Sequence, residues 1–222
     1  MADVLTPLES IRDIKQMMER SSRFISLSGL SGIAAGTCAL IGAWLAHNTL
    51  VRFSGQIPEV TAKAGLLLSQ PTGPLVFTTE LFSRLLFIAL LTFLGAFLFA
   101  FLFTYLRSKK TGIPVWGFSS RRLLINIMVP MLSGGAFLTK ILFLGSYSLL
   151  APGCLLFYGL ALVNASKYTL PEILYLGLVM ILLALLNLLL ENDGLFFWAL
   201  GFGVSHILYG SFMWYKYEWA KK

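Results

Sequence analysis

The sequence has little charge and few of the residues that carry most enzyme and metal chemistry. Charged side chains make up 12% of the 222 residues, against about 25% in soluble globular domains, and there are ten acids, two histidines and two cysteines. Two cysteines provide neither a disulfide framework nor the spaced ligands of a metal site. These shortages argue against a soluble domain, and the sequence predicts no metal or other cofactor.

Apolar residues fill most of the chain. They account for 57% of it, with a mean hydropathy of +0.80. They occur in blocks of about 17 to 25 residues, the length of a helix that crosses a hydrocarbon core about 30 Å thick. The blocks predict an all-α, polytopic membrane helical bundle with six transmembrane helices, at residues 24–47, 81–106, 123–147, 149–165, 171–190 and 195–215.

Lysine and arginine are distributed unevenly between the predicted loops. If the N-terminus is cytoplasmic, all but four of the seventeen basic residues lie on the cytoplasmic side, the exceptions being Arg52, Lys63, Arg84 and Lys140. The positive-inside rule therefore predicts a multi-pass protein of the bacterial inner membrane with both termini in the cytoplasm. The net charge of +7 is then explained by contact with membrane lipids, and no nucleic-acid motif is present.

Two segments flank the predicted transmembrane domain of residues 24–215, and one long loop lies within it. Residues 1–23 are predicted to form a cytoplasmic amphipathic helix, because Thr6, Pro7 and Glu9 match a capping box with proline at the first helical position. Residues 48–80 form the one long outer loop, where prolines such as Pro58 argue against continuous helix. Residues 216–222 form a cytoplasmic tail. The N-terminal helix and the outer loop are the predicted contacts for a protein partner.

A G-x-S-G tetrad in the stretch SLSGLSGIAAG raises the question of a serine nucleophile. His206, in the last span, lies at a depth similar to that of Ser31, roughly 10 to 14 Å from the cytoplasmic ends of the helices, so a Ser31–His206 dyad is one hypothesis. The alternative is close helix packing, because Gly29, Gly32 and Gly36 lie among small residues on successive turns. We expect packing and predict no catalytic residue.

The other polar residues inside the spans have two interpretations. His206 either binds a ligand or carries a proton, as ionisable groups at mid-membrane often do, or donates a hydrogen bond to a carbonyl across the bundle. Asn126, Asn164 and Asn187 most often tie helices together. Asn126 and Asn187, with His206, are also the side chains that would line a polar path in a transporter or channel.

Four stretches of the chain resemble a family of uncharacterised bacterial six-span integral membrane proteins. They are MMERSSRFISLSGLSGIAAG near the start, and LFYGLALVNASKYTLPEILYLGL, GLFFWALGFGVSHILYG and WYKYE in the later half. The resemblance covers most of the chain apart from the outer loop. This sequence departs from the family pattern at Val179-Met180, where the family tends to place an acid before isoleucine, and at ENDG, where it has a glycine-rich turn. The resemblance implies a compact bundle and identifies no catalytic residues.

These observations together predict a non-enzymatic accessory or regulatory component of a membrane complex. A small transporter or channel is the alternative, and an intramembrane serine hydrolase acting through Ser31 is the third hypothesis.

Overall fold

A computed structural model describes residues 28–63, 79–112, 116–190 and 193–219. All regular secondary structure in these ranges is helical, and six helices within them are long and apolar enough to cross a membrane. The all-α prediction and the six apolar helices are therefore confirmed for the described residues. The helices are α1 Gly29–Lys63, α2 Thr79–Thr111, α3 Phe118–Phe143, α4 Leu150–Ala165, α5 Glu172–Leu189 and α6 Gly194–Trp219.

The first helix is longer than the sequence predicts. It continues to Lys63, so residues 48–63 are helical, although Pro58 was expected to argue against continuous helix there. Pro58 lies inside this helix. A proline removes one backbone hydrogen bond, but it need not end a helix. Residues 64–78, like the predicted amphipathic helix at residues 1–23, lie outside the described residues.

Glycine ends two of the helices. Gly112 after α2 and Gly145 after α3 have φ angles of 70° and 73°, the left-handed conformation that glycine adopts without steric cost. At the second site, the Gly145 N–H donates to the Leu142 carbonyl and the Ser146 N–H to the Ile141 carbonyl, both within 3.2 Å. These bonds satisfy the last carbonyls of α3 and turn the chain towards α4.

The last helix and the fourth predicted span also differ from the sequence prediction. α6 alternates between α-helical and wider π-helical segments, with the π-helical parts at Ala199–Ser205 and Tyr215–Trp219. It therefore runs into the predicted cytoplasmic tail of residues 216–222, which is helical as far as Trp219. The fourth predicted span is the shortest, and short 3-10 turns at Tyr147–Leu149 and Ser166–Tyr168 extend it at both ends.

The chain divides into two compact units. The central unit contains the described part of Phe103–Phe197, where α4 packs against both α3 and α5 around buried residues such as Leu155, Met180 and Ala184. The flanking unit contains the described parts of Gly29–Leu102 and Trp198–Lys222, where α1 packs against α6.

Candidate functional site

The three glycines predicted for helix packing lie at the contact between α1 and α6. A Cβ atom built on Gly29 would lie 2.5 Å from the carbonyl oxygen of Gly210, and one built on Gly36 would lie 2.6 Å from that of Gly203. On Gly32 it would lie 3.1 Å from the Cα of Gly210. Cβ contacts as short as those at Gly29 and Gly36 essentially do not occur, so at these two positions the antiparallel backbones approach to a distance that only glycine permits, while Gly32 is tight but less restrictive. We call these five residues the glycine seam.

Ser31 and His206 lie on the two helices that form this seam. Both side chains are buried, with 6% and 7% of their surface exposed. The backbone carbonyl of His206 lies 3.3 Å from the position of a Cβ on Gly32, the residue after Ser31, so the two candidates belong to neighbouring turns of packed helices.

The His206 ring forms a hydrogen bond within its own helix. Its Nδ1 lies 3.1 Å from the carbonyl oxygen of Gly201, and because a carbonyl only accepts, Nδ1 carries the hydrogen. The Phe202 ring stacks on the imidazole at a centroid distance of 6.1 Å. This donation to a carbonyl runs along α6, within the histidine's own helix.

The π-helical segment before His206 explains this bond. A π-helix is wider than an α-helix and pairs residues five apart, and such segments occur often at functional sites. Ser205 and His206 both donate to the carbonyl five residues earlier, the Ser205 hydroxyl reaching Leu200 at 3.0 Å. The two polar side chains thus satisfy backbone carbonyls of the widened turn.

Asn126 connects α3 to α4 in the central unit. Its own amide donates to the Arg122 carbonyl at 2.8 Å, and the Asn164 amide donates to the Asn126 backbone carbonyl at 2.8 Å and to its Oδ1 at 3.3 Å. The prediction assigned Asn126 to helix contacts without a partner, and the structure identifies Asn164 as that partner.

Asn187 lies at the other end of the central unit. It is 2% exposed, its amide donates to the Leu190 carbonyl at 3.3 Å, and its Oδ1 has no hydrogen-bond partner among the described residues. A Cβ on Gly194 would lie 3.9 Å from that oxygen and 3.3 Å from Ala151. Ala151 and Asn164 occupy opposite ends of α4, about 20 Å apart. The structure therefore does not bring Asn126 and Asn187 together.

Glu218 is a polar contact that the sequence analysis missed. Its carboxylate accepts a 2.7 Å hydrogen bond from the Gly29 N–H, across a separation of 189 residues. The first N–H groups of a helix lack helical partners and carry partial positive charge, so a carboxylate is favourable there. The signal in the sequence is a lone acid among the lysines and aromatic residues of the last turns, but nothing local indicates its partner.

The described residues contain no group of three His, Cys, Asp or Glu side chains placed to hold one metal ion. Comparisons of the chain with protein-family models, with curated proteins and with solved structures find no match. The resemblance to a six-span bacterial family therefore stays a prediction.

Proposed function

We propose that this chain is a six-span integral protein of the bacterial inner membrane with both termini in the cytoplasm, and that it acts as a non-enzymatic accessory or regulatory component of a membrane complex. The six long apolar helices support insertion. The uneven distribution of lysine and arginine supports the orientation.

The observation that carries the accessory role is the exposure of α2. Among the six described helices, it is the one whose most apolar stretch contains no buried residue. It approaches α1 at two places. The Thr92 side chain of α2 lies against Gly42 of α1, and the Cys38 sulfur of α1 lies 3.9 Å from the position of a Cβ on Gly95 of α2. Transmembrane helices associate through close packing and interhelical hydrogen bonds, so a helix this lightly packed in its own chain has surface available for another.

The exposed apolar surface of α2 is broad, and one stripe of it lies directly opposite the contact with α1. Leu90, Phe93, Leu94 and Phe97 follow the spacing of one helical stripe, opposite the side that carries Thr92 and Gly95, and all four are 46–61% exposed. The Phe93 and Phe97 rings stack on each other at a centroid distance of 6.4 Å, so the stripe has an aromatic centre. We call these four residues the α2 outer face, and propose that it contacts a transmembrane helix of the partner.

The arrangement of polar residues favours this role over the transporter or channel. Within the central unit, Asn126 and Asn187 lie near opposite ends of α4, and each bonds a backbone carbonyl. His206 donates to its own helix. These bonds to nearby backbone carbonyls are contacts that stabilise helices, which favours a structural role for the three side chains.

Site-specific photocrosslinking tests the proposal in cells at native expression. Benzoylphenylalanine replaces Phe97 on the α2 outer face, and the control replaces Leu182 on α5, because these two side chains are 58% and 57% exposed. We expect a discrete protein adduct from position 97 and only lipid adducts from position 182. Lipid adducts at both positions would contradict the accessory role.

Insertion and orientation need a separate measurement. Resistance of the protein to carbonate extraction, with fluorescence of a green fluorescent protein fused after Lys222, is the expected result. Extraction into the carbonate supernatant would refute insertion, and an active alkaline phosphatase fused at the same position would refute the orientation.

A further inference from the structure

The exposed charge of the central unit is concentrated at one end of its helices. Lys109 and Lys110 end α2, Arg121 and Arg122 begin α3, and Lys167 lies in the turn after α4; all five are exposed. We call these five residues the basic rim. Only six residues, 112–117, separate the end of α2 from the start of α3, which limits how far apart these two helix ends can lie.

No exposed acid offsets these cations in the neighbouring sequence. Glu172 is the one acidic residue between residues 103 and 190, and it is 9% exposed. Within residues 103–190 the rim therefore presents net positive charge, which suits a ligand that carries negative charge over a surface rather than at a single point.

The asparagine pair holds two parts of the rim together. Asn164, three residues before Lys167, donates to the carbonyl of Asn126, and Asn126 donates to the carbonyl of Arg122, both at 2.8 Å. The 3-10 turn that contains Lys167 also packs against α3. Arg122 and Lys167 are thus carried by backbone segments that are fixed relative to each other.

Aromatic rings lie among the cations of the rim. The Arg122 guanidinium lies 4.4 Å from the centroid of the Phe118 ring, and the Lys109 ammonium lies 5.0 Å from that of Tyr105. Trp116 and Phe118 are 67% and 71% exposed. Aromatic rings next to lysine and arginine are typical of the interface where acyl chains meet headgroups.

We propose that the basic rim is a binding surface for the phosphate headgroups of anionic phospholipids, with the exposed rings placed among the upper acyl chains. The proposal rests on the membrane insertion proposed above. Phosphates accept hydrogen bonds from arginine and lysine, and five cations on one rim match a lipid surface that presents many phosphates at one level. The asparagine pair positions the cations.

The test uses the full chain in nanodiscs made of equal amounts of phosphatidylglycerol and phosphatidylcholine. Native mass spectrometry of the released protein gives the ratio of the two lipids that stay bound. We expect enrichment of phosphatidylglycerol for the unmodified protein. In the triple variant Arg121→Gln, Arg122→Gln and Lys167→Gln, we expect that enrichment to fall about fivefold or more.

The matched control carries the same change in charge away from the rim. It combines Arg52→Gln, Arg84→Gln and Lys140→Gln, and we expect it to keep the enrichment. A charge-conserving variant, Arg121→Lys with Arg122→Lys, should also keep most of it. An equal loss in the control, or equal binding of both lipids by the unmodified protein, would overturn the proposal.

Two further measurements separate the explanations. Added inorganic phosphate should not displace the bound phosphatidylglycerol, and displacement would assign the rim to a soluble anion. Carbonate extraction of the same variants reports insertion. Failure to insert refutes the proposed function, whereas insertion without lipid enrichment refutes only the basic rim.

Discussion

Replacing Gly210 with alanine should separate α1 from α6. A Cβ atom at this position would lie 2.6 Å from the carbonyl oxygen of Gly29 and 2.6 Å from the backbone nitrogen of Ile33. Ordinary van der Waals contact begins at 3.4 Å, so the new methyl group is about 0.8 Å too close to both atoms. Both obstacles are backbone, which no rotamer change can move, and the helices have to shift.

The expected loss of stability follows from two opposing effects. Overpacking of a close contact costs about 1–3 kcal/mol, while alanine in place of glycine recovers about 0.5–1 kcal/mol of helix propensity. Because both obstacles are backbone atoms, we expect the upper part of the resulting range, a free energy of unfolding lowered by up to about 2.5 kcal/mol in Gly210→Ala. The seam variant Gly32→Ala should be milder, because its Cβ would lie 3.1 Å from the nearest atom.

The assay is reversible unfolding in mixed micelles of mild detergent and sodium dodecyl sulfate, followed by far-ultraviolet circular dichroism. Gly135→Ala in α3 is the control, because nothing lies within 4 Å of a Cβ there. It should be neutral or slightly stabilising. If Gly210→Ala unfolds at the same detergent fraction as Gly135→Ala, the close approach of α1 and α6 is wrong.

Three further predictions use the same assay. Glu218→Gln keeps an acceptor for the first helix but removes the charge, and should cost about 0.3–1 kcal/mol, the loss shrinking as salt is added; no loss at low salt would contradict the capping contact. Asn164→Ala should cost about 0.6–1.7 kcal/mol, and Asn126→Ala less, because Asn164 donates mainly to a backbone carbonyl that the second variant retains; the reverse order would refute the assignment. His206→Asn retains a donor for Gly201 and should be more stable than His206→Phe; equal stability would show that the hydrogen bond contributes nothing.

Much of the secondary structure could be predicted from the sequence because apolar length is a local property. The predicted spans at 149–165 and 171–190 differ by at most one residue from α4 and α5. The end of α1 was missed because Pro58 suggested a break, although a helix can continue past one proline. For the candidate site, the small-residue stripe of α1 was visible, whereas Glu218 was not.

The sequence by itself determined six apolar segments, the small residues that permit a close helix contact, and the asymmetry of basic charge. Only the tertiary structure decided which surfaces meet. Glycines occur in several of these helices, and lipid is as apolar as the helix faces, so composition does not favour one pairing over another. Gly29 packs against Gly210 and donates a hydrogen bond to Glu218, and Asn164 donates to Asn126. These contacts form because the folded helices bring together backbones that are far apart in the chain.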